Sequence, residues 1–71
     1  MSDHVYRVTE VVGSSPESVQ QAIRNGVARV SRTVRNVEWF ETTEIRGRVE
    51  NGEITAFQVG LKVGFRLEDE A

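Results

Sequence analysis

The residues able to do chemistry in this chain are few. Trp39 is the only tryptophan, and His4 the only histidine. Cysteine is absent, which removes disulfides and thiolate metal ligands. The carboxylates Glu38, Glu41 and Glu44 lie close together in sequence, a spacing that suggests acid–base work. They lack a partner nucleophile and a sheltered cluster, so they read as surface or interface charges. What remains is a binding surface. Trp39 offers a broad aromatic face, Gln58 an amide with both donor and acceptor, and Gly60 and Gly64 leave open floor beside them. Glycine inside a strand often marks close approach by a ligand or another backbone.

These residues must be placed by a strand pair. From Val37 to Arg66 the chain reads as two long strands joined by Asn51-Gly52, the strongest short hairpin signal, for a type I′ turn. A two-residue loop fixes the register, with Glu50 facing Glu53 and Val49 facing Ile54. In the last strand Phe57, Val59, Leu61, Val63 and Phe65 point one way, and Ala56, Gln58, Gly60, Lys62 and Gly64 the other. An unbroken ladder then sets Trp39 opposite Gly64, Thr43 opposite Gly60 and Ile45 opposite Gln58. Trp39 and Gln58 share the outer face but stand about six positions apart, roughly 20 Å. One subunit cannot close both on one small ligand; a two-fold axis could bring Trp39 of one copy to Gln58 of another. A bulge in the second strand would turn Trp39 to the other face.

Upstream, His4 to Val12 is rich in β-branched and aromatic residues and reads as a strand. Gly13-Ser14-Ser15-Pro16 breaks it. A helix follows, with Ser15 as cap, Pro16 in the first position and Glu17 at the positive end of the dipole; Ser14 and Glu17 alternatively have capping-box spacing. Val19, Ala22, Ile23, Gly26, Val27, Val30 and Val34 form one apolar stripe. The other face carries Gln20, Arg24, Arg32 and Arg35. The order is strand, helix, strand, strand: an α+β fold in which a three-stranded antiparallel sheet wraps one helix. Residues 1–71 form a single domain, with a core at about 4–67 and an acidic tail, Glu68-Asp69-Glu70-Ala71, expected to fray.

Lengths add a constraint. A helix of about 19 residues covers roughly 28 Å, whereas strands of about 14 residues run roughly 46 Å. The excess sheet must curl around the helix or meet another copy, since long bare edges invite aggregation. At 71 residues and without cysteine, self-association is the remaining means of stabilising so small a fold. Nine Lys+Arg against eleven Asp+Glu leave a net charge of -2, which is not the footprint of a nucleic-acid binder. Eight of the nine cations are arginines, suited to phosphate or carboxylate pairing, although composition bias explains the count equally well. No apolar run reaches the length of a membrane span, about 18 residues. The polar N-terminus lacks a secretory signal, so a cytoplasmic location is expected.

The stretch Trp39-Phe40-Glu41, Glu44-Ile45-Arg46-Gly47, Phe57-Gln58-Val59 and Leu61-Lys62-Val63-Gly64-Phe65 resembles the dodecin family. Tyr6-Arg7-Val8 and Gly13-Ser14-Ser15-Pro16-Glu17-Ser18 are similar too, so the likeness spans roughly residues 4 to 67. The resemblance implies a hollow homododecamer that binds flavins in pairs at two-fold interfaces, stacked between symmetry-related tryptophans. It implies that Trp39 stacks the ring, that Gln58 holds its pyrimidine edge, and that Arg46 reaches the phosphate of FMN, the ligand favoured by bacterial members. Riboflavin and FAD are alternatives, and some members also bind coenzyme A at another interface. The expected role is non-catalytic storage and sequestration of flavin with quenching of its excited states; a flavin-dependent oxidoreductase and a ligand-free structural oligomer are the alternatives. Arg46 lies across strand two from Trp39 in a flat ladder, and an intersubunit ion pair with Glu44 or Glu50 is its other reading. Lys62 and Arg66 fall on the outer face, where they could balance charge near a phosphate or meet solvent or another subunit.

Overall fold

The computed structural model describes residues 3–68. Its elements are β1 (Tyr6–Ser15), α1 (Val19–Ser31), β2 (Val37–Glu50) and β3 (Glu53–Arg66). The sheet is antiparallel in the order β1-β3-β2, so β3 is central and pairs on both sides. Residues 69–71 of the expected frayed tail lie outside the described residues. Glu68, its first residue, forms an exposed ion pair with Arg35 at 3.5 Å.

The two-residue periodicity of β3 builds the core. Val59, Leu61 and Val63 are buried on the face toward the helix, where Ala22 and Val30 meet them. Val19, Ile23, Val27 and Val34 pack around this centre, so the apolar stripe read along the helix is the stripe that packs. The turn between β2 and β3 has Asn51 at φ 53° and Gly52 at φ 80°. Two successive left-handed residues are what a type I′ turn requires, and few residue types other than Asn and Gly tolerate them.

Both ends of the expected helix are shorter, and β1 is longer. β1 continues through Gly13, Ser14 and Ser15, which pair with Val59, Gln58 and Phe57. That pairing holds the chain extended past the point where sequence signals placed a break. The hydroxyl of Ser15 is buried and accepts the Glu17 N–H at 3.0 Å, forming the turn. The N-cap is Ser18, in extended conformation, whose hydroxyl accepts the Gln21 N–H at 2.9 Å. Pro16 and Glu17 therefore lie in the turn before the helix. At the other end Arg32 is the C-cap, and Asn36 at φ 66° reverses the chain into β2.

Gly13 is needed for close approach. A Cβ there would collide with the carbonyl oxygen of Ala22 and lie 3.3 Å from the Gly26 nitrogen. A Cβ on Gly26 would in turn sit 2.6 Å from Leu61 Cδ1 and 3.3 Å from the Gly13 Cα. The two glycines let α1 settle directly on β1 and β3. The helix has 13 residues, about 20 Å, and barely reaches β2. The hairpin overhangs it in a body 56 × 20 × 14 Å in extent. Ile45, Val49 and Ile54 on the overhang are each more than 60% exposed.

A Gly13→Ala substitution should push the helix off the sheet, because the obstacle is backbone that cannot rotate away. Overpacking of this kind costs about 1–3 kcal/mol. Urea denaturation should show that loss as a lower midpoint with an unchanged slope; an unaltered midpoint would refute the close-packing account.

Candidate functional site

The outer face of the sheet is assembled by cross-strand rows. Tyr6 pairs with Arg66, and Val8, Gly64 and Trp39 form the next row. Glu10, Lys62 and Glu41 follow, then Val12, Gly60 and Glu44, then Ser14, Gln58 and Arg46. Lys62 and Arg66 thus lie on this face, as the alternation of β3 dictates.

Trp39 stands opposite Gly64 as the flat ladder requires, but the ladder between them and the turn is not flat. Thr55 is an extra residue in β3 and Thr43 an extra residue in β2, at the register shifts between Arg48 and Val49 and between Thr42 and Glu44. The two bulges cancel, so Trp39 keeps its partner and its face. Between them the register is displaced by one residue. Gln58 is paired with Arg46, where the flat ladder set Ile45, and Gly60 is paired with Glu44, where it set Thr43. One displaced residue reverses the face of every side chain in the segment. The conflict over Arg46 is removed by this: it shares the outer face with Gln58 and Trp39. A third shift, between Val37 and Trp39, leaves Glu38 unpaired in the ladder.

The indole of Trp39 lies across Gly64. A Cβ at Gly64 would overlap Cε2 and Cζ2 of the ring and approach Cδ2 at 2.6 Å. One side of the indole thus rests on the sheet, while the residue is still 40% exposed. Gly60 serves Thr43 in a similar way, since a Cβ there would lie 2.7 Å from the threonine hydroxyl oxygen.

At the far end of the face Arg46 joins two partners. Its Nε–H donates to Oε1 of Gln58 at 3.1 Å, and its Nη1 donates to Oε1 of Glu44 in an ion pair. Of the two carboxylates expected as partners across an interface, Glu44 is engaged, but within the same chain, and Glu50 pairs with Arg48 at 3.7 Å. The Gln58 amide oxygen is occupied by Arg46, so its NH₂ group is the part left to donate. Six β3 positions separate this cluster from Gly64 under Trp39, roughly 20 Å.

A second polar cluster adjoins the Trp39 end and carried no signal in the sequence. Tyr6 donates its hydroxyl proton to Glu38 at 3.2 Å, and Arg66 pairs with Glu38 at 3.7 Å. Partial burial of the ring, the bond to Glu38 and that carboxylate's charge together raise the Tyr6 pKa above its ordinary value, against the opposing pull of Arg66. The cluster depends on Glu38 standing free at a bulge, which residue types do not disclose. Among the described residues no group of three or more His, Cys, Asp or Glu side chains is placed to hold a metal ion.

The chain as a whole is matched in known proteins. The family model described as Dodecin matches residues 5–68. A dodecin of Thermus thermophilus is 45% identical over 65 residues, covering 92% of this chain and 94% of that protein. The solved dodecin of Streptomyces coelicolor superposes with a TM-score of 0.92 at 58% identity, covering 99% of this chain and all (100%) of that one. The dodecin of Streptomyces davaonensis gives a TM-score of 0.92 at 56% identity, over 96% and 100% of the two chains.

The seating of Trp39 can be tested directly, because it is the only tryptophan. Gly64→Ala places a methyl group where the indole rests. Its near-ultraviolet circular dichroism should collapse while the far-ultraviolet spectrum is retained. An unchanged near-ultraviolet signal would show that Gly64 does not seat the ring.

Proposed function

This chain belongs to the dodecin family, and from that membership we propose that it binds flavin, FMN foremost, without catalysing a reaction on it. The observation that carries the reading is the indole of Trp39 spread over Gly64, one side on the sheet and the residue 40% exposed. An indole fixed on one side presents its other side as a ready platform for a flat conjugated ring. The platform costs little to organise, since the ring is already ordered before any ligand arrives.

The other residues suit the same ligand. A flavin has a pyrimidine edge of carbonyl and N–H groups, and the free NH₂ of Gln58 can donate to a carbonyl there. Arg46 suits a phosphate, as guanidinium and phosphate pair through parallel charge-assisted bonds. The 20 Å gap between Trp39 and Gln58 supports a site shared by two copies, in which each supplies its indole to the other's amide. We therefore read the working form as a homo-oligomer, the hollow dodecamer that the resemblance implies, acting in the cytoplasm.

Bound flavin supplies a light-excitable ring, and a contacting indole is an electron donor able to return it to its ground state. Storage and quenching follow as the role. Two of the carboxylates best placed by sequence for acid–base work, Glu38 and Glu44, are instead tied to arginines on exposed surface. That favours binding over turnover.

Titration of FMN with ligand-free protein should quench flavin fluorescence and saturate near one flavin per chain. Trp39→Ala should abolish the quenching while eluting at the parent's size. A parent that assembles correctly and leaves FMN fluorescence untouched would remove the flavin reading and return Trp39 to packing alone.

A further inference from the structure

Glu44 is an outward residue of β2, opposite Gly60: its side chain is 61% exposed and lies outside the core. Yet it holds Nη1 of Arg46, while Gln58 holds Nε. A two-pronged grip on an anion needs Nη2 together with either Nη1 or Nε. Nε is taken by Gln58, and although Nη1 has a second N–H, a phosphate using it would lie beside the Glu44 carboxylate already bound there. We propose that Glu44 is a specificity-determining residue, a built-in competitor that a ligand's phosphate must displace from Arg46; this rests on the flavin-binding reading above.

The geometry decides which partner yields. Releasing Gln58 would free Nε but would leave the amide oxygen without its donor and loosen the group offered to the ring edge. Releasing Glu44 leaves a carboxylate that water solvates readily, since the pair is exposed on both sides, 48% for Arg46 and 61% for Glu44. Exposed ion pairs are weak and easily exchanged. Once displaced, Glu44 remains on the same strand face two residues from Arg46, as a negative charge beside a phosphate carrying close to two more. Both effects oppose phosphorylated ligands, and neither acts on a ligand without a phosphate. The register displacement between the Thr55 and Thr43 bulges makes this possible, because it brings Glu44, Arg46 and Gln58 onto one face.

Glu44→Gln keeps the shape and removes the charge. Fluorescence titrations of parent and variant with FMN and with riboflavin would separate the effects. The FMN dissociation constant should fall about fivefold, the order of one exposed ion pair, while that for riboflavin stays within about twofold. In an Arg46→Ala background the same substitution should keep only the smaller share that comes from direct repulsion of the phosphate, since no guanidinium is left to contest. Size-exclusion elution at the parent's volume controls for assembly, and Glu44→Thr carries the same test should the glutamine variant not assemble. An unchanged FMN-to-riboflavin ratio, weaker FMN binding in the variant, or a full gain persisting without Arg46 would each overturn the proposal while leaving flavin binding in place. A parent that quenches neither flavin would instead overturn the reading on which it rests.

Discussion

Everything in this subunit hangs on β3 being both central and strictly alternating. Its inward residues Val59, Leu61 and Val63 are the core, and from Phe57 to Phe65 it is paired along both edges, so a shift within that stretch would disturb both neighbours. Its outward residues are correspondingly freed from packing. Gln58, Gly60, Lys62 and Gly64 can then be small or polar without cost to stability. The same periodicity that buries about three large side chains on one face supplies glycine floor and amide on the other. Core and site are two faces of one strand, so changes that shift β3 would disturb both.

Within the doubly paired stretch the neighbour that bends is β2, at Thr43, while β3 bends only nearer the turn, at Thr55. A bulge in each strand of the hairpin displaces the register and then restores it. Because the bulges compensate, the turn at Asn51-Gly52 and the indole row at Trp39–Gly64 are both in the register that a simple hairpin demands. Only the intervening segment is moved. That is where Arg46 meets Gln58, so the bulges act as a local device to re-aim the side chains from Glu44 to Arg48 without altering the rest of the sheet, a role they serve near functional sites in many sheets.

Sequence was a good guide wherever a local rule had no rival. Asn51-Gly52 could only be a tight reversal, and β3 could only be a strand with one apolar face. The helix stripe from Val19 to Val30 was legible for the same reason. Its start was not. Ser14, Ser15 and Ser18 are all competent caps, and the choice among them is made by long-range pairing of Ser14 and Ser15 with Gln58 and Phe57. Gly13 was ambiguous in a different way: a glycine needed for space looks identical in sequence to one needed for a turn. For the site, residue types pointed to Trp39, Gln58 and Arg46, but the face of Arg46 was hidden. It depends on bulges at Thr43 and Thr55, and threonine is an ordinary strand residue that announces no bulge.

The overhang of the hairpin gives the isolated subunit its clearest imbalance. A 13-residue helix cannot shield 14-residue strands that rise more than twice as far per residue. Ile45, Val49 and Ile54 are left bare on one side of the overhang, while Arg46 and Gln58 sit on the same length of hairpin. Near α1, Ile23 and Val27 line an open apolar groove together with Phe40, which is itself 48% exposed. Covering such surfaces with further copies of the chain would remove apolar area from water, at about 25 cal/mol per Å². It would also stiffen the hairpin arm that carries Arg46 and Gln58. Assembly and ligand geometry are in this way coupled through one element: Arg46 and Gln58 stand where the hairpin passes the start of the helix, so holding the overhang still also holds the amide and the guanidinium in place.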